Sequence, residues 1–141
     1  MDLLETYCQL SLAQQRIYEQ FASHQGLSAN SLAILRSLVN NPDSCTQTTI
    51  YEENSLPKQT VNSIIKDLVK KGWLELIPQT TDRRKKYLKL TEQGVEDILP
   101  VVTKVMAANR VAFEKISLED QQVIVNNFAL FNQALREELD I

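Results

Sequence analysis

The sequence predicts a mainly α-helical chain with one small β-hairpin. Three observations predict it. Glycine and proline are scarce, at three and four among 141 residues, so little of the chain is punctuated as turn. Apolar residues recur mostly at the three- and four-residue spacing of a helix face. Only between Trp73 and Leu90 does the pattern change to two short strand-forming runs around a polar stretch.

Each element follows from local signals. Leu3, Leu4, Tyr7, Leu10, Ile17, Tyr18 and Phe21 line one face of a first helix that ends in the His24–Gly26 stretch. Ser28 caps a second helix carrying Leu32, Leu35, Leu38 and Val39, stopped by Asn40, Asn41 and Pro42. Thr46 caps a short third helix from Gln47 to about Glu53. Asn54 and Ser55 make a turn, and Pro57, whose fixed φ suits a first helical turn, opens a fourth helix that runs to Lys71 and stops at Gly72. Trp73 to Ile77 then form a strand ended by Pro78. Lys86 to Leu90 return beside it, and Gln79 to Lys85 become the hairpin tip. Thr91 caps a long helix with Val95, Ile98, Leu99, Val102, Val105, Met106 and Phe113, which Pro100 bends or breaks. Ser117 and Asp120 resemble a capping box, with Asp in place of the usual Glu, and start a last helix that reaches about Leu139.

Length and composition fit one compact domain over 1–141, with 43% hydrophobic residues to fill a core. No stretch approaches the roughly 18 uninterrupted apolar residues of a bilayer span, and the acids Asp2 and Glu5 stand where a secretory signal would carry bases. No membrane partner and a cytoplasmic location are expected. Cys8 and Cys45 have no second Cys or His at ligand spacing, so neither a metal site nor a disulfide framework is implied, in keeping with a reducing compartment. One histidine and three glycines cannot build a Ser/His/Asp or Cys/His arrangement or a Gly-rich phosphate loop, so no enzyme and no cofactor are read.

Net charge is -3, which taken alone argues against a polyanionic partner. Its distribution argues the other way. Residues 57–89 hold nine Lys/Arg and three Asp/Glu, a local +6, while the other 108 residues hold six bases and fifteen acids, a net -9. A solvated basic face would show the same concentration of charge. An electrostatic footprint for nucleic acid explains why it is so local.

The elements from Thr46 to Lys71 have the proportions of a helix-turn-helix, whose second helix enters the major groove of DNA. On its wheel Val61, Ile64, Ile65 and Leu68 form an inner face, opposite Gln59, Asn62, Ser63, Lys66 and Lys70, which include no acid. Gln59 and Asn62 can pair with an adenine edge, Ser63 can serve either role, and Lys66 can reach guanine or phosphate. Lys58, Thr60 and Lys70 sit where backbone contacts would set register, and Thr46 and Gln47 begin the motif. An ordinary amphipathic surface helix would also be polar outside. The hairpin tip separates the two readings. Asp82, Arg83, Arg84, Lys85 and Lys86 place four cations in five residues, a self-repelling cluster that a polyanion would compensate, with an arginine able to enter the minor groove. Asp82 has two readings, a carboxylate that holds Arg84 by a charge-assisted hydrogen bond or a solvated turn former.

Pro57-Lys58-Gln59-Thr60-Val61, Leu68 to Trp73, Asp82-Arg83-Arg84 and Leu90-Thr91-Glu92-Gln93-Gly94 together resemble the MarR (multiple antibiotic resistance regulator) family. The likeness covers nearly the whole chain. It implies a winged helix-turn-helix core over 28–91, with the helix-turn-helix at about 46–71 and the wing at 73–90, and dimerisation helices in 1–25 and 92–141. It implies a transcriptional regulator, a homodimer on a near-palindromic operator in double-stranded DNA, reading it through the fourth helix and wing, with Asp82 and Arg84 at the family's wing positions. The resemblance also implies a repressor switched by a small aromatic or phenolic effector or by cysteine oxidation.

Dimerisation has separate support. Val123, Ile124, Val125, Phe128, Ala129, Leu130, Phe131, Leu135 and Leu139 make too wide an apolar arc for a helix with one face in a small core. Two-fold symmetry would set recognition helices about 34 Å apart. Cys8 beside Tyr7 is a structural thiol or an oxidant sensor; Cys45, just before a helix N-terminus, is an incidental loop residue or a thiol of lowered pKa. His24 reads as a solvated helix end, and Trp73 and Tyr87 as packing the hairpin onto the body. A winged-helix module for protein-protein interaction remains the alternative to DNA binding.

Overall fold

The computed structural model describes residues 2–82 and 84–141. Its elements are α1 (Leu3–His24), α2 (Ala29–Asn40), α3 (Gln47–Asn54), α4 (Lys58–Lys70), β1 (Leu74–Pro78), β2 (Lys86–Leu90), α5 (Glu92–Asp97), α6 (Leu99–Phe113) and α7 (Leu118–Glu138). They fall into two compact units, one running to Thr103 and the other spanning Lys104–Ile141.

Capping side chains fix the helix starts in the first unit. Asp2 and Glu5 exchange bonds in a capping box on α1, Ser28 accepts the Ser31 amide, and Thr46 and Thr49 satisfy each other's backbone at the start of α3. Each bonds amides that the helix itself leaves without acceptors. The turn between α3 and α4 passes through Ser55 at φ 50, a left-handed conformation that ends α3 abruptly. Pro57 is the N-cap of α4 and not its first helical residue, one position earlier than expected, with extended ψ of 141. Gly72, at φ 81, supplies the left-handed residue after α4.

The core of this unit is drawn from every element between α2 and β2. Ile34 and Leu35 of α2, Ile50 of α3, Val61, Ile65 and Leu68 of α4, Leu74 of β1 and Leu88 of β2 are buried. Ile34 was not among the face residues read from the sequence; it is completely enclosed, whereas Val39 is only half-buried. The hairpin is antiparallel, in register from Leu74 opposite Leu90 to Pro78 opposite Lys86, so Leu74 and Leu88 point to the same buried face. Trp73 precedes the first strand instead of opening it. The Leu88 amide donates to the Cys45 carbonyl at 2.8 Å, which ties the hairpin to the chain entering α3.

The long helix expected after Thr91 is two helices. Thr91 caps α5 as expected, accepting the Gly94 amide. Pro100 has no N–H to give the carbonyl four residues back, and the helix stops at Asp97 and restarts at Leu99.

In the second unit, Ser117 caps α7 by accepting the Asp120 amide, and Gln121 Nε2 closes the preceding turn by donating to the carbonyls of Phe113 and Ile116. No described residue of α7 is buried. No helix of the described residues is long and apolar enough to cross a membrane.

Candidate nucleic-acid interface

Helix α4 presents its two faces as its amphipathic pattern requires. Val61, Ile65 and Leu68 are buried, while Lys58, Gln59, Asn62, Ser63, Lys66 and Lys70 are exposed and Thr60 is half-buried. The helix's one acid, Asp67, lies on the flank and is paired with Lys71 at 3.1 Å. The outward polar face therefore carries amides, a hydroxyl and cations, the side-chain types that hydrogen-bond to base edges and phosphates.

Thr46 and Gln47 stand half-buried at the start of α3, Thr46 committed to the cap. A residue that the sequence reading passed over joins this helix to α4. The Tyr51 hydroxyl lies 3.4 Å from both Gln47 Oε1 and Asn62 Oδ1, and the Lys58 ammonium is 5.7 Å from the centre of the Tyr51 ring. Tyr51 thus spans the helix-turn-helix, touching one expected base-reading residue and one expected phosphate-binding residue. An aromatic four residues after Gln47 is on the same helix face, which was the available signal.

At the wing, the Asp82 carbonyl accepts the Lys85 amide at 3.1 Å and the Lys85 carbonyl accepts the Gln79 amide at 2.9 Å. Asp82 Oδ1 accepts the Arg84 amide at 3.0 Å and lies 3.4 Å from Arg84 Nε. Both readings of Asp82 are present, but unequally. The shorter bond shapes the turn, while the guanidinium contact is long and the Arg84 side chain is 93% exposed, where such a pair contributes about 0–1 kcal/mol. Lys85 and Lys86 are exposed; the expectation for Arg83 lies outside the described residues. Between this tip and the start of α3 runs an open groove of about 700 Å³, lined by Thr46, Gln47, Thr48, Arg84, Lys85 and Lys86 among others. The hairpin and the helix-turn-helix thus bring cations from one and polar groups from the other to a single concave surface.

The remaining residues separate clearly. Cys45 is fully buried, and burial, reinforced by the Glu53 carboxylate, pushes its thiol up to about 11. Of the two readings of Cys45, the lowered pKa fails because desolvation raises the thiol's pKa. Cys8 is an exposed free thiol. Trp73 and Tyr87 are half-buried, and His24 is exposed at the end of α1. Among the described residues no group of His, Cys, Asp or Glu is placed to hold a metal ion.

Comparison with known proteins gives the same picture. No curated protein matches the chain in sequence. A sequence model of the MarR family matches residues 25–85, which span the helix-turn-helix and most of the wing. Among solved structures, NMB1585, a MarR family regulator from Neisseria meningitidis, is 25% identical with a TM-score of 0.80, covering 99% of this chain and 98% of its own. The MepR–DNA complex of S. aureus superposes with a TM-score of 0.76 at 16% identity, over 96% of this chain and 99% of its own. Bordetella bronchiseptica BpsR, whose DNA binding is regulated by 6-hydroxynicotinic acid, has a TM-score of 0.67 at 19% identity, with 93% of each chain covered. The sequence of residues 25–85 is thus similar to the MarR family, and the fold is similar over nearly the whole chain to those of MarR family regulators.

Proposed function

We propose that the chain is a cytoplasmic, homodimeric transcriptional regulator that binds a near-palindromic operator and represses until a small ligand or another signal releases it. One observation carries this reading: in an acidic chain, the outer face of α4 is exposed and acid-free, and the exposed cations Arg84, Lys85 and Lys86 of the hairpin tip share a groove with the start of the helix-turn-helix. Gln59, Asn62, Ser63 and Lys66 read base edges. Lys58, Thr60 and Lys70 hold the sugar-phosphate backbone, and the Arg83–Lys86 tip follows an adjacent groove. Thr46 and Gln47 open the helix-turn-helix at the start of α3.

The dimer rests on apolar surface. Leu3, Leu4, Leu10 and Ile17 of α1 are exposed, and so are Ile124, Val125, Leu130 and Leu135 of α7. A second copy that covers these faces removes an aggregation hazard and pairs the two recognition helices. Likeness to MepR and BpsR supports DNA and a small aromatic acid as the partner classes.

The test is to select duplex fragments from the source genome and measure binding by anisotropy across salt. Affinity should fall steeply, with a log-log slope of about -0.9 for each phosphate neutralised. Replacing Arg84, Lys85 and Lys86 together with Ala should flatten that slope by about 2–3 while leaving thermal stability unchanged. A protein that shifts no duplex at low ionic strength, or a slope indifferent to the triple replacement, leaves protein-protein interaction as the reading to pursue.

A further inference from the structure

The exit of α4 is fastened to α5 by contacts that the DNA-facing residues do not use. Trp73, the single tryptophan of the chain, follows the Gly72 stop. Its indole N–H donates to Asp97 Oδ2 at 3.1 Å, and the same oxygen accepts Gln93 Nε2 at 2.8 Å. The opposite partner of the ring is Lys71, its ammonium 5.4 Å from the indole and 3.1 Å from Asp67. Backbone contacts run beside these. The Thr91 amide donates to the Trp73 carbonyl and its hydroxyl to the Gly72 carbonyl, and Gly94 packs so closely on Trp73 that a Cβ would collide with that carbonyl.

Asp97 is an odd residue for its position by charge alone. It ends α5, where the helix dipole disfavours an anion, and it belongs to the unit that carries the basic surface. A carboxylate there weakens the attraction of a polyanion. What it supplies instead is one oxygen that accepts from both Trp73 and Gln93. We propose that Asp97 is a positioning residue for DNA binding: through the Trp73 indole it fixes the end of the recognition helix and the base of the wing against α5, so that both meet the duplex in one set geometry. This inference rests on the DNA-binding reading given above.

The experiment uses the full chain, a duplex that the wild type binds, and the variants Asp97→Ala, Asp97→Asn, Trp73→Phe and the double variant Asp97→Ala/Trp73→Phe. Asp97→Ala removes a negative charge, so on electrostatics alone it should bind more tightly. The proposal expects the opposite sign, a loss of about tenfold, with the salt slope unchanged because no phosphate contact is lost. Asp97→Asn keeps an accepting oxygen and should stay within about threefold of wild type. Trp73→Phe should match Asp97→Ala, and the double variant should lose nothing further. Asp97→Ala binding as tightly as wild type or more so, or Asp97→Asn as weak as Asp97→Ala, overturns the proposal.

Trp73 also reports without DNA. Its fluorescence anisotropy decay in the free protein should gain a fast component in Asp97→Ala and not in Asp97→Asn. An unchanged decay in Asp97→Ala overturns the tie itself. Failure of the wild type to bind any duplex, with this decay behaving as expected, overturns the DNA reading while the tie stands.

Discussion

Two regions of the molecule are both rich in apolar residues and treat them in opposite ways. In the stretch from Ser28 to Thr91, α2, α3, α4 and both strands each contribute side chains that are completely or almost completely enclosed, such as Ile34, Ile50, Ile65, Leu74 and Leu88. Helix α7 buries none of its own, although Val123, Ile124, Val125, Leu130 and Leu135 lie along it. Burying a side chain of that size contributes roughly 1.5–3 kcal/mol, so the first region holds its own folding energy, while the second leaves its large apolar side chains at the surface. On the proposed function, the part that touches DNA is shaped within one chain, and the part that sets its symmetry is completed by a second copy.

The comparison breaks most sharply at Ile65. It is 2% exposed on the inner side of α4, and Ile65→Ala should cost about 2–5 kcal/mol in chemical denaturation. The loss should leave dimer dissociation unchanged, because the residue lies in the core of one chain. A cost below about 1 kcal/mol would mean that α4 is not anchored by this core. The mirror experiment is at Leu135, which extends the spacing Ile124, Phe128, Phe131 on α7 and is 45% exposed. Leu135→Glu should weaken self-association by about a hundredfold, read by analytical ultracentrifugation, with the helix-turn-helix still folded. Equal association in both proteins would remove α7 from the dimer interface.

How much of this was legible in the sequence follows the same division. Caps and stops were readable because they depend on neighbours: Ser28, Thr46, Thr91 and Ser117 all accept the amide three residues on. The two faces of α4 were readable because its apolar period is regular. Contacts distant in sequence were not. Neither the Trp73–Asp97 bond, 24 residues apart, nor the Tyr51–Asn62 approach, 11 apart, leaves a periodic trace. Pro100 announced a disturbance, and only the folded chain decides between a bend and the break seen at Ile98. Gly94 belonged to the recognised motif. Its reason, the Trp73 carbonyl packed against it, appears only in three dimensions. At Cys45 both local readings, an incidental loop residue and a thiol of lowered pKa, miss the core that covers it, since proximity to a helix start says nothing of burial.

Cys45 gives the comparison its smallest and most specific test. The residue is enclosed at the join between α3 and the wing, its carbonyl held by the Leu88 amide and its thiol pushed from 9.0 to about 11 by burial and then by Glu53. Because the folded chain holds the proton more tightly than the unfolded chain, the group's contribution to stability is complete below pH 9. It is lost as pH rises from about 9 through about 11, where the folded thiol itself ionises. The informative quantity is the difference between wild type and Cys45→Ala, in which contributions from the rest of the chain cancel. That difference should be constant from pH 6 to about 8 and should shift against the wild type between about 9 and 11. A difference independent of pH throughout would mean that water reaches Cys45, and with it the seam by which the wing is fixed to the helix-turn-helix.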